Sequence, residues 1–336
     1  MKYIFSTLVL SLLTATCFAG RIYFVSPEAS TAGAGHSWAN ATTLHQALST
    51  ANRGDEIWVK QGAYLTSSTN DRQQSFRIPA GVHLFGGFAG TEVTRAERNT
   101  SGKSLLSGDI GVAQQQTDNA YTVVVMESAG QLGSTLDGFI IADGFSRNFK
   151  EGFTQGNAGG GLYIMAAQGS LSNHMINNCR FENNKAHNGG AVFVDTGRPS
   201  FFGCIFTNNT ADFNGGAVYN YGFSSEANPH FRGCQFQGNA SNSGAGMTNN
   251  GTNGSASPLL IDCQFIDNVS VMNGAAIFNI TNDNGTCELV MEGCGFVGND
   301  SIIGDDVSGI GVSPTFAARA ARNGGGNLRP SNTSKR

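Results

Sequence analysis

Residues suited to chemistry are thinly scattered along this sequence. Asp305–Asp306 is its one adjacent pair of aspartates. Paired carboxylates of this kind divide acid and base roles in glycoside hydrolysis. The pair stands apart from any histidine or arginine box, and a polar turn accounts for it. Lys185 and His187 fall in one turn, and Asp212 with Phe213 in a similar one. Lone charges at turns read as solvated. Five of the seven cysteines, Cys179, Cys204, Cys234, Cys263 and Cys294, recur at steps of 25 to 31 residues. Stacked in parallel at about 4.8 Å, their Cβ atoms lie outside the roughly 3.5–4.5 Å that a bridge prefers, and a ladder offers no tetrahedral metal geometry. They read as small apolar thiols filling a core. Cys287 is off register and is the best placed for a bridge or a reactive thiol. The glycine pairs precede no helix, so they read as close-packed backbone and not as a phosphate cradle. No metal site and no cofactor are expected, and no catalytic residue is assigned.

The cysteines belong to a repeat. Five segments fit C-x-F-x-x-N: "CRFENN", "CIFTNN", "CQFQGN", "CQFIDN" and "CGFVGN". Three residues before each Cys stands an apolar residue: Ile176, Phe201, Phe231, Leu260 or Met291. A second box reads "GGGLY" at Gly159, "GGAVF" at Gly189, "GGAVY" at Gly215, "GAGMT" at Gly244 and "GAAIF" at Gly274. Residues two apart on a strand share a face, so Cys and Phe point inward and the Asn falls at a turn. One copy cannot bury its Phe alone, whereas stacked copies can. The fold expected is all-β: a single-stranded, right-handed parallel β-helix with one copy per coil. Stacked Asn amides can then bond to one another along the coils.

This layout exposes one further candidate. Leu162, Val192, Val218, Met247 and Ile277 follow the small residues of the second box and are assigned inward. Strand alternation turns the next column outward: Tyr163, Phe193, Tyr219, Thr248 and Phe278. An outward aromatic stripe is a platform for sugar rings, so Tyr163, Phe193, Tyr219 and Phe278 are the expected ligand-binding residues. Asn220, Asn249 and Asn279 should line the following turn as an amide ladder. The inserts 221–229, 250–258 and 280–288 should rise from one edge and wall the stripe.

The F-x-x-N and G-G-A boxes resemble the repeats of polymorphic outer membrane proteins. The segments "GDEIWVKQGAY" and "GVHLFGGFAGTE" look like the start of secreted bacterial β-helices of the pectin-lyase-like class. The resemblance covers most of residues 21–300 and implies a fold more than an activity. The boxes of a polygalacturonase-like site, an Asp pair with Gly-His-Gly and Arg-Ile-Lys, are not met. Asp305–Asp306 has neither companion, and "GHS" at Gly35 lies far off in sequence. The C-terminal barrel of the outer-membrane family has no counterpart after Ser313.

Composition agrees. Gly numbers 46, charged residues are 13% and 23 Phe dominate the aromatics, which suits many tight turns around an apolar interior and argues against disorder. The net charge of −4 carries no nucleic-acid footprint. Residues 1–19 read as an export signal, with Lys2 before an apolar run too short to span a bilayer. Residues 20–60 form an N-terminal cap, in which Thr42 or Thr43 opens a helix with Leu44, Ala47, Leu48 and Ala51 on one face. Residues 61–312 form the β-helix, and residues 313–336 a disordered basic tail. The expected protein is monomeric, without a transmembrane segment, and secreted or on the cell surface. It binds polysaccharide or a cell-surface glycan, without nucleic acid, as a non-catalytic, adhesin-like module. The rival readings are a polysaccharide lyase or glycoside hydrolase, and a passive structural surface protein.

Overall fold

The computed structural model describes residues 20–30, 33–148, 152, 154, 156–166, 171, 173–282, 284–302 and 304–310. The expected export signal and the basic tail lie outside the described residues. All paired strands run parallel, in four sheets of nine, eight, six and eight strands among the described residues. A typical coil uses each sheet once. Ser200–Phe202 lies in sheet A, Ile205–Thr207 in sheet B, Thr210–Asn214 in sheet C and Val218–Tyr221 in sheet D. The chain then returns to sheet A at His230–Arg232, beside Ser200–Phe202. Parallel crossovers of this kind are right-handed because of strand twist. The protein is a right-handed parallel β-helix, as its repeats require.

Left-handed corners explain the glycine and asparagine content. The residue before each ladder Cys has positive φ: Asn178, Gly203, Gly233, Asp262 and Gly293. So does the residue two after each Phe: Asn183, Asn208, Gly238, Asp267 and Gly298. The first Gly of the second box is a third such corner, with φ between 60° and 66° at Gly159, Gly189, Gly215, Gly244 and Gly274. Only Gly, Asn and Asp enter this region readily.

Between these corners the inward columns stack. Phe206, Phe236, Phe265 and Phe296 stack with nearly parallel planes, their centroids 4.5–5.1 Å apart. Phe201 and Phe231 do the same in sheet A at 4.6 Å. The ladder thiols turn the corner between sheets A and B. Each points at the carbonyl of the inward residue one coil earlier: Cys204 Sγ to Ile176 O at 3.3 Å, Cys234 Sγ to Phe201 O at 3.4 Å. All six described cysteines are free, as expected for the ladder. Cys287 corrects an expectation. It is buried, its Sγ reaches Ala256 O at 3.1 Å, and burial pushes its thiol up to about 12. Neither a bridge nor a reactive thiolate fits that setting.

The asparagine after each Phe is wholly interior from Asn184 to Asn268 and half-buried at Asn299, in the last copy. Asn209 Nδ2 donates to Phe181 O at 3.0 Å and to Asn239 Oδ1 at 3.0 Å, while its Oδ1 accepts from the Asn184 amide at 3.1 Å. The pattern runs from Asn184 to Asn299. A second ladder, Asn220–Asn249–Asn279, forms at 2.7 and 2.8 Å, within the strands of sheet D and not in the turn that the sequence suggested. The helix Leu44–Thr50 starts at Thr43, whose Oγ1 accepts from Gln46 N, and buries Leu44, Ala47 and Leu48. It packs on Ile22–Val25, which is already paired with Glu56–Lys60 as the first strands of sheet A.

This packing makes two outcomes measurable. Gly215→Ala places a Cβ 2.3 Å from Val218 O at φ 66°, and should cost more than about 3 kcal/mol in urea unfolding. Gly233→Ala meets nothing within 4 Å and should cost only about 1–2 kcal/mol of left-handed strain. Equal costs would show that the corners carry no packing constraint. For the ladder, thiol titration of denatured, unreduced protein should find the six cysteines reactive. A result near zero would make the ladder a disulfide framework.

Candidate functional site

The expected aromatic platform is corrected by the structure. Tyr163, Phe193, Tyr219 and Phe278 do point away from the main core, but they are 4%, 0%, 2% and 5% exposed. Val218 and Ile277 are buried as well, so the faces are not exchanged; the outward column is covered. Two features cover it. The double-glycine turn folds back on the column, bringing the Cβ direction of Gly215 within 3.0 Å of Tyr219 Cβ. Tyr221 then lies over Phe193 and Tyr219, each at 5.8 Å, and stacks on Phe223 at 5.8 Å. Tyr163, Phe193 and Tyr219 form a second, minor core with Val125 and Ala158. The inserts after sheet D do not rise as walls around it. They stack on one another, with Gly222 N to Asn250 O at 2.8 Å and Ala256 N to Thr286 O at 3.0 Å. Asp305 and Asp306 close the last coil's turn, their carbonyls accepting from Ala275, Ala276 and Ile277, as the sequence implies.

The accessible chemistry lies on the outer face of sheet A. Register places Glu56, His83, Thr135 and Met175 in one outward column. Trp58, Phe85, Asp137 and Asn177 form the other. Between them runs a groove of about 660 Å³. Its roof is the segment after the sheet A strand His83–Phe88. Glu92 shapes that segment by accepting from the Ala89, Gly90 and Thr91 amides at 2.7–3.0 Å. The short 3₁₀ turn Arg95–Glu97 comes next and swings two arginines over Phe85, at 4.5 Å for Arg95 and 5.6 Å for Arg98.

Every charge in the groove meets its opposite. Arg95 Nη1 reaches Glu56 Oε1 at 2.7 Å, and the other Glu56 oxygen accepts from Trp58 Nε1 at 2.7 Å. Arg98 pairs with Asp137 at 3.0 Å, with both side chains largely buried, and donates to Gly86 O and Asp137 O. His83 Nδ1 shares a hydrogen bond with Thr135 Oγ1 at 3.0 Å. Burial lowers the His83 pKa below its ordinary value; Glu56 opposes the shift and Arg95 adds to it. Met175, 46% exposed, lines one end of the groove, and beyond it the same face carries Phe202, 38% exposed, with His230 and Arg232 on the next strand. Among the described residues, no group of three metal-ligating side chains gathers.

No family model and no curated protein matches the chain. Among solved structures it is similar to a pectate lyase, Pel9A, with a TM-score of 0.47 and 12% identity over 84% of this chain and 78% of that one. It is also similar to Escherichia coli YbhC, with a TM-score of 0.40 and 13% identity over 88% and 75%. A polygalacturonase from Erwinia carotovora ssp. carotovora gives 0.33 and 11% over 89% and 97%.

The lowered His83 pKa yields a test. An NMR titration should place its midpoint below about 6.5, and Glu56→Gln should lower it further by removing the opposing carboxylate. For stability, the neutral ring's contribution is complete above about pH 6.5 and is lost as pH falls toward the depressed value. A midpoint unmoved by Glu56→Gln would separate the two groups electrostatically.

Proposed function

We propose that the protein is an exported module that binds polysaccharide along the outer face of sheet A, without catalysing its cleavage. The observation that carries this reading is the groove itself, which continues onto exposed apolar surface at Met175 and Phe202. Pyranose rings stack on such surface while their hydroxyls meet polar groups at its margin. Binding is favoured over cleavage because both groove carboxylates are already engaged with arginine, and a hydrolytic pair needs one of them as a proton donor. A lyase reading rests on His83, the one groove side chain whose ring is neutral enough to take a proton. Secretion or surface display suits the glycan, and the export-signal pattern of residues 1–19 supports it. Among the described residues no helix is long and apolar enough to cross a membrane.

Met175→Ala and Phe202→Ala should each weaken polysaccharide binding by about 1 kcal/mol, near fivefold, in isothermal titration. Val271→Ala, an exposed apolar change on sheet C, should leave it unaltered. Release of reducing or unsaturated ends, abolished by His83→Ala, would replace binding by catalysis. Equal effects of all three apolar variants would move the site off sheet A.

A further inference from the structure

We infer that the glycan taken by the sheet A face is an uncharged polysaccharide, and not a polyuronate or a sulfated chain. The inference rests on the binding reading above and narrows its ligand class. It comes from the charges and their geometry. Recognition of a carboxylate or sulfate needs an arginine or lysine whose donors are free to turn toward it. Arg95 is held by Glu56 at 2.7 Å, with its flat face on Phe85. Arg98 is spent on the Asp137 carboxylate and on two backbone carbonyls, and its side chain is only 7% exposed. Freeing Arg98 for a ligand would strand the largely buried Asp137, at a cost that the new pair would have to offset, while Arg95, half exposed, would give up its pair with Glu56 at a smaller cost.

The balance holds along the whole face. Lys103 sits at the rim with its ammonium on Thr100 O, in solvent, and Glu97 faces outward nearby, accepting from Val93 N. Farther along the sheet, exposed Arg232 and exposed Glu292 stand in one column, on either side of Ile261. Arg95 and Arg98 are thus each paired with an acid, and Arg232 is matched by Glu292 in number, two strands away, with the His83 ring neutral. An anionic polymer laid along the face finds no net field to draw it in.

The rest of the face suits hydroxyls and ring faces. Met175 and Phe202 offer apolar contact. Asn177 lines the groove, and its Oδ1, turned inward and buried, has no hydrogen-bond partner among the described residues. A turn of that amide offers a sugar hydroxyl both a donor and an acceptor.

The test titrates full-length protein with neutral probes (arabinoxylan, galactomannan, mixed-linkage β-glucan) and acidic ones (polygalacturonate, alginate). At least one neutral glycan should bind, with affinity changing less than about twofold between about 0.05 and 0.5 M NaCl. Polygalacturonate should bind wild type weakly or not at all. Glu56→Gln, which releases Arg95, should gain about fivefold for polygalacturonate at low salt. Preference of wild type for an acidic chain, lost with salt, overturns the inference while leaving glycan binding intact. Failure of every glycan overturns the binding reading itself. Should Glu56→Gln not fold, the wild-type salt dependence alone decides.

Discussion

The interior asparagine ladder is the interaction on which this architecture depends. A coil that turns four corners leaves backbone groups without partners, and in a buried corner each such group is expensive. One primary amide per coil resolves this at the bend after sheet B. Its nitrogen donates to a carbonyl one coil back, and its oxygen accepts from the neighbouring ladder member's backbone and side chain. No other side chain offers two donors and a two-lone-pair acceptor in so small a volume. Glutamine would overreach the corner, and aspartate would set an anion against carbonyl oxygens. The stacked Phe columns and the thiols lining the A–B corner are positioned because these corners are fixed.

Fixing the corners leaves the outer positions of each strand unconstrained. Sheet A uses that freedom for mixed chemistry, and one irregular segment, gathered around Glu92, roofs part of it. Sheet D uses it for rings that bury one another, because Tyr221, at the end of its strand, lies across them and is backed by Phe223 of the insert that follows. The same outward geometry therefore gives an open groove on one side and a sealed secondary core on another. The connection leaving each strand decides the difference.

The scaffold was legible for a physical reason: every coil faces the same packing problem and solves it with the same residues. Cys, Phe and Asn recur at fixed offsets, and Thr43 with Leu44, Ala47 and Leu48 announces the helix. The site was not legible in this way. Its residues flank the apolar position of each repeat, as Met175 and Asn177 flank Ile176, and these flanks differ from coil to coil because nothing inside the coil constrains them. Aligning on what recurs hides them. The signal available was the polar and aromatic content of those flanking positions, among them Glu56, His83, Phe85 and Asp137. The covering of Phe193 and Tyr219 depended on where an insert folds back, which alternation along a strand does not encode.

A ladder whose every rung sees the same partner above and below has a consequence for ancestry. Duplicating one repeat inserts a coil whose Asn, Phe and Cys meet neighbours indistinguishable from the old ones, so the addition is tolerated wherever in the stack it lands. Each such event lengthens the outer face of sheet A by one strand, about 4.8 Å, and adds two outward side chains free to diverge. The length of the face is therefore set by a copy number, adjustable by recombination between repeats, while its outward side chains vary separately by point substitution.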